Sequence, residues 1–199
     1  MKRERERGDT GRRILQTASE LLEREGMESV SIRRIAKIVD VTPMAIYNHY
    51  PSLEALLLAL YERGVERLTH QIWKAVARAE APPDKLRAMI RAYVGFGIRN
   101  PHYYSLLFGS KFIQKYLWDR HPRSLVMQNF WAPFTEIIEA CQEAGAIDPG
   151  ANPQELATHI WSSIHGYVGF LIIGRLQQLW QTDEQGITEM MEKHLLRFL

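Results

Sequence analysis

The chain has 199 residues, of which 46% are hydrophobic, and it carries a formal net charge of +2. This length and composition can supply the core of one body or of two small domains, which excludes a wholly disordered protein. Cys141 is the single cysteine, so an intramolecular disulfide is excluded, and its apolar helical surroundings favour a core residue over a redox sensor. Neither a secretory signal nor a bilayer-spanning apolar run is evident, so we expect a cytoplasmic protein.

The surplus positive charge is concentrated at the start of the chain. Residues 1–50 contain ten Lys or Arg and eight Asp or Glu, whereas residues 51–199 contain fifteen of each. Residues 1–13 have no apolar side chain after Met1, which predicts a mobile arm. Two interpretations of this arm stay open: it lies in a minor groove of DNA and adds salt-dependent affinity, or it is a solvated tail.

Residues 31–50 have the pattern of two short helices joined by a tight turn. Ser31 and Thr42 are N-cap residues by type, and Pro43 stands where a second helix would begin. Asp40 falls at the turn, and aspartate tolerates the left-handed backbone that such turns need. The first helix has one apolar face, formed by Ile32, Ile35, Ala36 and Val39. The pattern predicts a helix-turn-helix; the alternative is an ordinary helical hairpin in an all-α domain.

The outward side chains of the second helix suit contact with DNA. They are Thr42, Met44, Tyr47, Asn48 and His49. A helix that begins with short side chains can enter the major groove and approach base edges. Thr42, Tyr47 and His49 can donate to phosphate oxygens, and Arg33 on the first helix is long enough to reach a guanine edge. We therefore predict a DNA-binding surface here.

A gapless series of residues between positions 12 and 60 matches a known family. It consists of Arg13-Ile14-Leu15, Ala18, Leu21-Leu22, Glu25-Gly26, Ser31-Ile32, Ile35-Ala36, Val41-Thr42, Ile46-Tyr47, His49-Tyr50 and Leu56-Leu57. On these residues the chain resembles the N-terminal domain of TetR (tetracycline-repressor-type) transcriptional regulators. The resemblance implies an all-α fold of about nine helices, a two-fold dimer, and a small molecule in the C-terminal domain that releases the DNA.

The resemblance also implies roles for individual positions. Arg33 matches a base-reading position, and the base-facing start of the third helix matches Pro43, Met44 and Ala45. The phosphate anchors match Thr42, Tyr47 and His49. Family members commonly open the fourth helix with a phosphate-contacting lysine, where this chain has Leu53 after Ser52. Since Met44 and Ala45 offer only apolar contact with a thymine methyl, specificity is expected to depend on Arg33 and on DNA shape.

The rest of the chain reads as helices without strand-like alternation. The expected helices cover about 52–79, the stretch that contains Leu86 and Val94, 102–118, 122–144 with a bend at Pro133, 153–179 and 183–198. We therefore predict an all-α protein of about nine helices. Residues 1–51 form the arm and the helix-turn-helix DNA-binding domain, and residues 52–199 form a helical domain for effector binding and dimerisation.

The last two predicted helices carry apolar stripes at helical spacing. One consists of Leu156, Ile160, Ile164, Val168, Leu171 and Ile172, and the other of Ile187, Met190, Met191, His194, Leu195 and Phe198. Gly166, Gly169 and Gly174 permit close approach of a second helix. The family resemblance makes these helices the expected interface of a homodimer. The alternative is that both stripes face their own core.

Aromatic side chains are concentrated in the middle of the chain, where an effector site is expected. The candidate ligand-binding residues are Tyr93, Phe96, Tyr104, Phe108, Phe130, Phe134, Trp161 and His165. Residues 100–108 and 161–166 resemble a C-terminal domain type of this family that is named for Trp, His and Gly. An aromatic-lined cavity with few polar groups fits an apolar or aromatic effector, whereas the alternative is that these side chains fill the core.

Other chemistry finds little support in the sequence. The histidines lack metal-ligand spacing, and neither a phosphate-binding glycine loop nor a nucleophile motif occurs, so we expect no metal, no cofactor and no enzyme. The predicted function is that of a dimeric, sequence-specific regulator of transcription. We expect a repressor that a small effector releases from a near-palindromic double-stranded operator. The alternative is a DNA-binding factor controlled by a protein partner.

Overall fold

The computed structural model describes residues 2–111, 125–174, 178–179 and 181–195. Over these residues it forms nine α-helices and no strand. In chain order they are α1 (Lys2–Glu25), α2 (Ile32–Val39), α3 (Pro43–Tyr47), α4 (Leu53–Val76), α5 (Pro82–Arg99), α6 (Pro101–Tyr104), α7 (Leu125–Glu143), α8 (Pro153–Ile172) and α9 (Glu184–Leu195). A 3-10 turn precedes α2, and a π-helical turn continues α6. The predicted all-α fold is confirmed.

The described residues divide into two compact units. The first contains residues 2–65 and 100–111, and the second contains residues 66–99 together with those described after 124. The first unit thus combines the helix-turn-helix region with a segment that is distant in sequence.

The helix α1 begins at Lys2, so the predicted mobile arm over residues 1–13 was wrong. The absence of apolar side chains excludes a buried face, but it does not exclude a helix surrounded by water. Lys, Arg and Glu are strong helix formers, and opposite charges here recur at helical spacing. Asp9 and Arg12 are one such pair, with a carboxylate oxygen 3.9 Å from a guanidinium nitrogen.

The core of the first unit contains apolar side chains of α1, of the helix-turn-helix and of the first part of α4. Its buried apolar side chains include Ile14, Ala18, Leu22, Ile35, Val39, Ile46, Leu56 and Leu60. Arg13 donates from Nη2 to the carbonyl oxygen of Val39 at 2.9 Å, which satisfies a backbone group that the end of α2 leaves without a helical partner. A cationic side chain at this end of a helix is also favoured by the helix dipole.

The distant segment of the first unit is anchored by Tyr103 on α6. Its hydroxyl lies 2.8 Å from Oγ of Ser19, which in turn donates to Glu23 at 3.2 Å. Gly64 on α4 makes room for the ring, because a Cβ at this position would lie 2.8 Å from Cδ1 of Tyr103. A buried hydrogen bond and a close backbone approach together fix α6 in this unit.

The second unit is built around α5, which packs against α7 and α8. Its buried face includes Leu86, Met89, Ile90, Tyr93, Val94 and Phe96. The predicted dimer stripe of α8 is directed into this same core, since Ile160, Ile164 and Val168 are fully buried within the single chain. Ile187 of α9 is buried as well. The stripe therefore faces its own core, as the alternative interpretation had it.

Several predicted helix ends differ from those observed. The helix α8 ends at Ile172 rather than at 179, and Gly174 follows with φ of 69° in the left-handed region. The expected end of a helix near residue 144 is confirmed, since α7 ends at Glu143. Gly145 has φ of 68°, and the next residue donates back to the carbonyl of Cys141 at 2.9 Å. The expected helix start at 122 and the end at 198 lie outside the described residues.

Candidate nucleic-acid interface and aromatic cluster

The turn between α2 and α3 is made by local hydrogen bonds. Asp40 adopts the predicted left-handed conformation, with φ of 59° and ψ of 56°. The amide of Val41 then donates to the carbonyl of Ala36 at 3.0 Å, which closes α2. Oγ1 of Thr42 accepts from the amide of Ala45 at 3.2 Å, and Pro43 opens α3. The predicted turn and both predicted helix starts are confirmed.

One side of α3 is buried and the other faces solvent. Ile46 is fully buried, whereas Met44 is 68% exposed and Tyr47 is 44% exposed. Thr42, Pro43 and Asn48 are exposed too, and Ala45 and His49 are half-buried. Arg33 is exposed on α2 in the same unit. The predicted DNA-binding residues are therefore accessible to different degrees on the two helices of the motif.

The C-terminal end of α3 packs against a glycine of α1. A Cβ at Gly11 would lie 3.1 Å from Nδ1 of His49, and the hydroxyl of Tyr50 donates to the carbonyl of Gly11 at 3.4 Å. Gly11 therefore lets the loop after α3 come close to α1. His49 is both a predicted phosphate anchor and part of this packing.

An ion pair that the sequence analysis missed connects α1 with α2. The guanidinium of Arg34 donates twice to the carboxylate of Glu25, and Nη1 to Oε2 is 2.8 Å. These hydrogen bonds hold the pKa of Glu25 below its usual range. The bidentate geometry fixes orientation as well as distance. Arg34 is thus engaged in the fold, whereas its neighbour Arg33 points into solvent-exposed space.

The start of α4 is capped by a side chain. Oγ of Ser52 accepts from the amide of Ala55 at 3.1 Å. Hydrogen bonds from its own backbone amide and from Ser52 lower the pKa of Glu54. The helix N-terminus therefore already holds a carboxylate, so a phosphate there would meet a like charge as well as the backbone amides.

Four of the predicted ligand-binding residues come together in the second unit. The hydroxyl of Tyr93 lies 3.1 Å from Nδ1 of His165, and the His165 ring stacks on Trp161 with 4.8 Å between centroids. Phe134 meets Tyr93 edge-on at 6.3 Å. Trp131, which the candidate set left out, bridges the group at 5.1 Å from Trp161 and 6.0 Å from Phe134. Its spacing of three residues from Phe134 was the available signal.

The remaining candidates are Tyr104, Phe108, Phe96 and Phe130. Tyr104 and Phe108 lie in the first unit, where their ring centroids are 4.9 Å apart. Phe96 is buried on α5 in the second unit. The side chain of Phe130 lies outside the described residues.

The aromatic cluster has a closed part and an accessible part. Tyr93 and Phe134 are fully buried, whereas Trp161 and His165 are half-buried. Burial lowers the pKa of His165 because the imidazolium form loses hydration. The ring is accordingly neutral near neutral pH and can share a hydrogen bond with the hydroxyl of Tyr93.

The two parts of the chain match two domains of one family. Residues 14–60 match the bacterial regulatory proteins of the tetR family, and residues 86–195 match the tetracyclin repressor-like C-terminal domain. The chain belongs to the tetR family. The resemblance seen in the sequence is thereby confirmed, and the helix-turn-helix is that of a DNA-binding transcriptional regulator of this family. Regulators of the tetR family are normally not enzymes.

Individual relatives share about a third or less of their aligned residues with this chain. The chain is 34% identical over 97 residues to the uncharacterized HTH-type transcriptional regulator YobS of Bacillus subtilis, and the match spans 49% of this chain and 50% of YobS. The chain therefore covers about half the length of this relative. It is 28% identical over 144 residues to the nucleoid occlusion factor SlmA of Marinobacter nauticus, with 72% of each chain covered.

Solved structures with this fold cover nearly the whole chain. A protein of unknown function from Rhodococcus sp. RHA1 matches with a TM-score of 0.80 and 26% identity, over 96% of this chain and 95% of that one. The TetR family transcriptional regulator PfmR from Thermus thermophilus matches with a TM-score of 0.67 and 16% identity, over 93% of this chain and 97% of PfmR. The second likeness concerns the fold alone.

Neither a metal-binding group of side chains nor a membrane-spanning helix occurs among the described residues. No group of three or more His, Cys, Asp or Glu side chains in this part of the chain is arranged to hold a metal ion. Within the same residues, every helix is too short or too polar to cross a bilayer.

Replacing His165 with Gln should flatten the dependence of stability on acid pH. In the unfolded chain a histidine titrates near about 6.5, and burial lowers its pKa in the folded state. Below that pH the unfolded chain binds a proton that the folded chain does not, so stability falls as the pH falls. Urea unfolding between about pH 7.5 and 5.5 measures this, with His159→Gln, exposed on the same helix, as the control. Parallel profiles for wild type and His165→Gln would contradict the assignment.

Proposed function

We propose that the chain represses transcription as a homodimer on a near-palindromic operator and is released by a small apolar or aromatic effector. Residues 1–51 would bind the DNA, and residues 52–199 would carry the effector site and the dimer interface. The observation that carries the proposal is the two-sided α3, where Ile46 is buried while Met44 and Tyr47 project into solvent. A helix anchored on one side in this way can insert its other side into a major groove.

The side-chain chemistry of this surface assigns base contacts and phosphate contacts to different residues. Arg33 supplies the bidentate donor that distinguishes guanine, and Met44 supplies apolar contact for a thymine methyl. Tyr47 and Thr42 would position the motif through phosphate oxygens, which carry no sequence information. The hydroxyl of Thr42 already accepts the amide of Ala45, and it retains its hydrogen for a phosphate.

The proposed dimer interface is the solvent-facing side of α8. Its exposed residues recur at helical spacing and are Glu155, His159, Ser162, Gly166, Gly169 and Phe170, with Ile173 just beyond the helix end. Phe170 is 53% exposed and Ile173 is 63% exposed, and a Cβ built at Gly166 or Gly169 meets nothing within 4 Å. Two such faces can approach closely across a two-fold axis and cover both apolar side chains.

The effector would bind at the accessible edge of the aromatic cluster. Trp161 and His165 are its half-buried members, and their rings are stacked. Beside them lies the hydrogen bond between the hydroxyl of Tyr93 and Nδ1 of His165. An uncharged aromatic compound suits such a site better than a charged one, because burial disfavours charge there. Release follows if the compound binds more tightly to the conformation that does not fit the operator.

A second candidate is a DNA-bound factor that a protein partner controls. The relative named nucleoid occlusion factor SlmA favours it, because the match with this chain covers 72% of both. In that case the aromatic cluster would be core packing, and control would come through a surface contact.

Selection from a random duplex library should yield a near-palindromic operator. Arg33→Ala should weaken binding to it by about 1–3 kcal/mol and relax the preference at one base pair in each half-site. Tyr47→Phe should weaken binding about tenfold for every sequence alike, because it removes one donor to a phosphate. Equilibrium titration at several salt concentrations measures both effects.

The control for Arg33 is Arg24→Ala, which removes an equal charge from an exposed position in the last turn of α1. A loss of affinity no greater for Arg33→Ala than for Arg24→Ala would mean that Arg33 contributes only its charge and makes no base contact. Selection without any enriched sequence would exclude the operator proposal.

Phe170→Arg should convert the dimer to a monomer, since it places two desolvated charges near the two-fold axis. Sedimentation velocity measures the mass, and Trp73→Arg, a change at an exposed aromatic residue of α4, is the control. A Phe170→Arg variant that remains dimeric would place the interface elsewhere.

The effector proposal predicts reciprocal coupling between two ligands. A set of uncharged aromatic compounds is screened for stabilisation of the protein, and the best binder should weaken operator affinity by the factor by which operator weakens its own binding. Trp161→Leu should reduce binding of the compound, with Trp73→Leu as control. An intact operator complex that no compound weakens would favour the partner-controlled candidate.

A further inference from the structure

A groove in the second unit runs between the second half of α4 and α5. It has a volume of about 820 Å³. The α4 side presents Gln71 and Lys74, and Arg78 follows in the turn just after the end of this helix. The α5 side presents Arg87 and Arg91 at helical spacing, and Arg99 stands at the end of this helix. Two rows of long cationic side chains therefore border one depression.

The floor of the groove is made by small residues. They are Ala75, Ala79, Ala88 and Ala92. Ala75 lies on α4, Ala88 and Ala92 lie on α5, and Ala79 lies in the segment that joins them. They leave a trough between the long side chains, since their methyl groups end close to the backbone. At one end Gln71 donates from Nε2 to the carbonyl of Ala92 at 2.7 Å and ties the two helices together. The depression is therefore built from fixed backbone and not from mobile side chains alone.

The charge of the groove is strongly unbalanced. Five cations border it, namely Lys74, Arg78, Arg87, Arg91 and Arg99, and all five are exposed. The two acids are Glu80 and Asp84, and Asp84 accepts from Nη1 of Arg87 at 2.9 Å. Residues 51–199 as a whole have equal numbers of basic and acidic side chains, so this excess is local. An anion in the groove therefore lies in a local excess of positive charge.

A second depression continues from the first along α5. Its volume is about 480 Å³, and it shares Arg91 and Arg99 with the groove. Val94, Gly95 and Ile98 give it an apolar wall, and α9 contributes Gln185, Thr188 and the acidic Glu189. A ligand with an anionic end in the groove thus finds an apolar wall and one carboxylate beyond the two shared arginines.

We propose that this groove binds the oligophosphate group of a small molecule. Guanidinium groups bind phosphate oxygens in pairs, and two facing rows can hold successive phosphates of one chain. The volume lies in the range of small-molecule sites. Inorganic oligophosphate and a nucleoside polyphosphate share this chemistry, and only the second has a group for the adjoining depression. A trough between two helices favours a small ligand over the convex backbone of a duplex.

The test is calorimetric titration of the full chain with tripolyphosphate, ATP and AMP, without divalent cations, at about 0.15 M salt. We expect saturable binding of tripolyphosphate and ATP, and binding of AMP at least about tenfold weaker because it offers a single phosphate. Binding that is tighter for ATP than for tripolyphosphate identifies a nucleoside polyphosphate, and the reverse order identifies the inorganic chain.

Variants locate the binding. Lys74→Gln and Arg78→Gln, both at exposed positions, should each weaken tripolyphosphate binding about tenfold. Lys85→Gln removes the same charge from α5 outside the groove lining and should leave the affinity unchanged. Equal losses for all three variants would show a diffuse charge effect and overturn the proposal, as would the absence of saturable binding to tripolyphosphate and ATP.

Binding of the same variants to a random-sequence DNA duplex is measured as well. If Lys74→Gln and Arg78→Gln weaken duplex binding and leave tripolyphosphate binding unchanged, the groove is a nucleic-acid surface and the proposal is overturned. The oligophosphate titrations use neither the operator nor the effector. Their result is therefore independent of whether the proposed repressor function holds.

Discussion

The helix α3 is too short to exist by itself, and the DNA-binding surface depends on what holds it. It has five residues, whereas isolated helices in water need about 12–15 to be even marginally stable. Three local features replace that missing length: the left-handed turn at Asp40, the cap of Thr42, and the complete burial of Ile46. The bond from Arg13 to the carbonyl of Val39 then fastens the preceding helix end to α1. The orientation of every outward side chain follows from these few contacts.

The two compact units differ in the surroundings of their hydrogen-bonded side chains. In the first, charged and hydroxyl side chains make defined bonds between helices, as with Arg34 and Glu25 or Tyr103 and Ser19. Such bonds give direction and suit a surface that must match a rigid partner. In the second, aromatic rings meet at varied angles around His165, which shares its hydrogen bond with one tyrosine. Ring pairs of this kind contribute through the area they bury and through their edge-to-face or stacked geometry.

Features that rest on near neighbours in sequence could be predicted, and features that rest on distant residues could not. The caps of Ser31 and Thr42 and the turn at Asp40 involve residues about three or four positions apart, so their side-chain types were sufficient evidence. The first helix was mistaken for an arm because apolar periodicity reports burial and not helicity. The cationic groove was missed because acids elsewhere in residues 51–199 cancel its charge in any sum along the chain. Partners such as Tyr103 and Ser19 are 84 residues apart, beyond any local pattern.

In α3 the residue that anchors the helix in the core, Ile46, is distinct from the residues that are proposed to contact DNA. Its exposed neighbours Met44 and Tyr47 contribute little to the core, so exchanging them costs little stability. Ala45 is half-buried and offers a smaller range of replacements. A lineage of such proteins can therefore acquire new target sequences by changes at a few positions while the scaffold remains as it is. Duplicated copies within one genome could diverge in what they recognise before they diverge in shape.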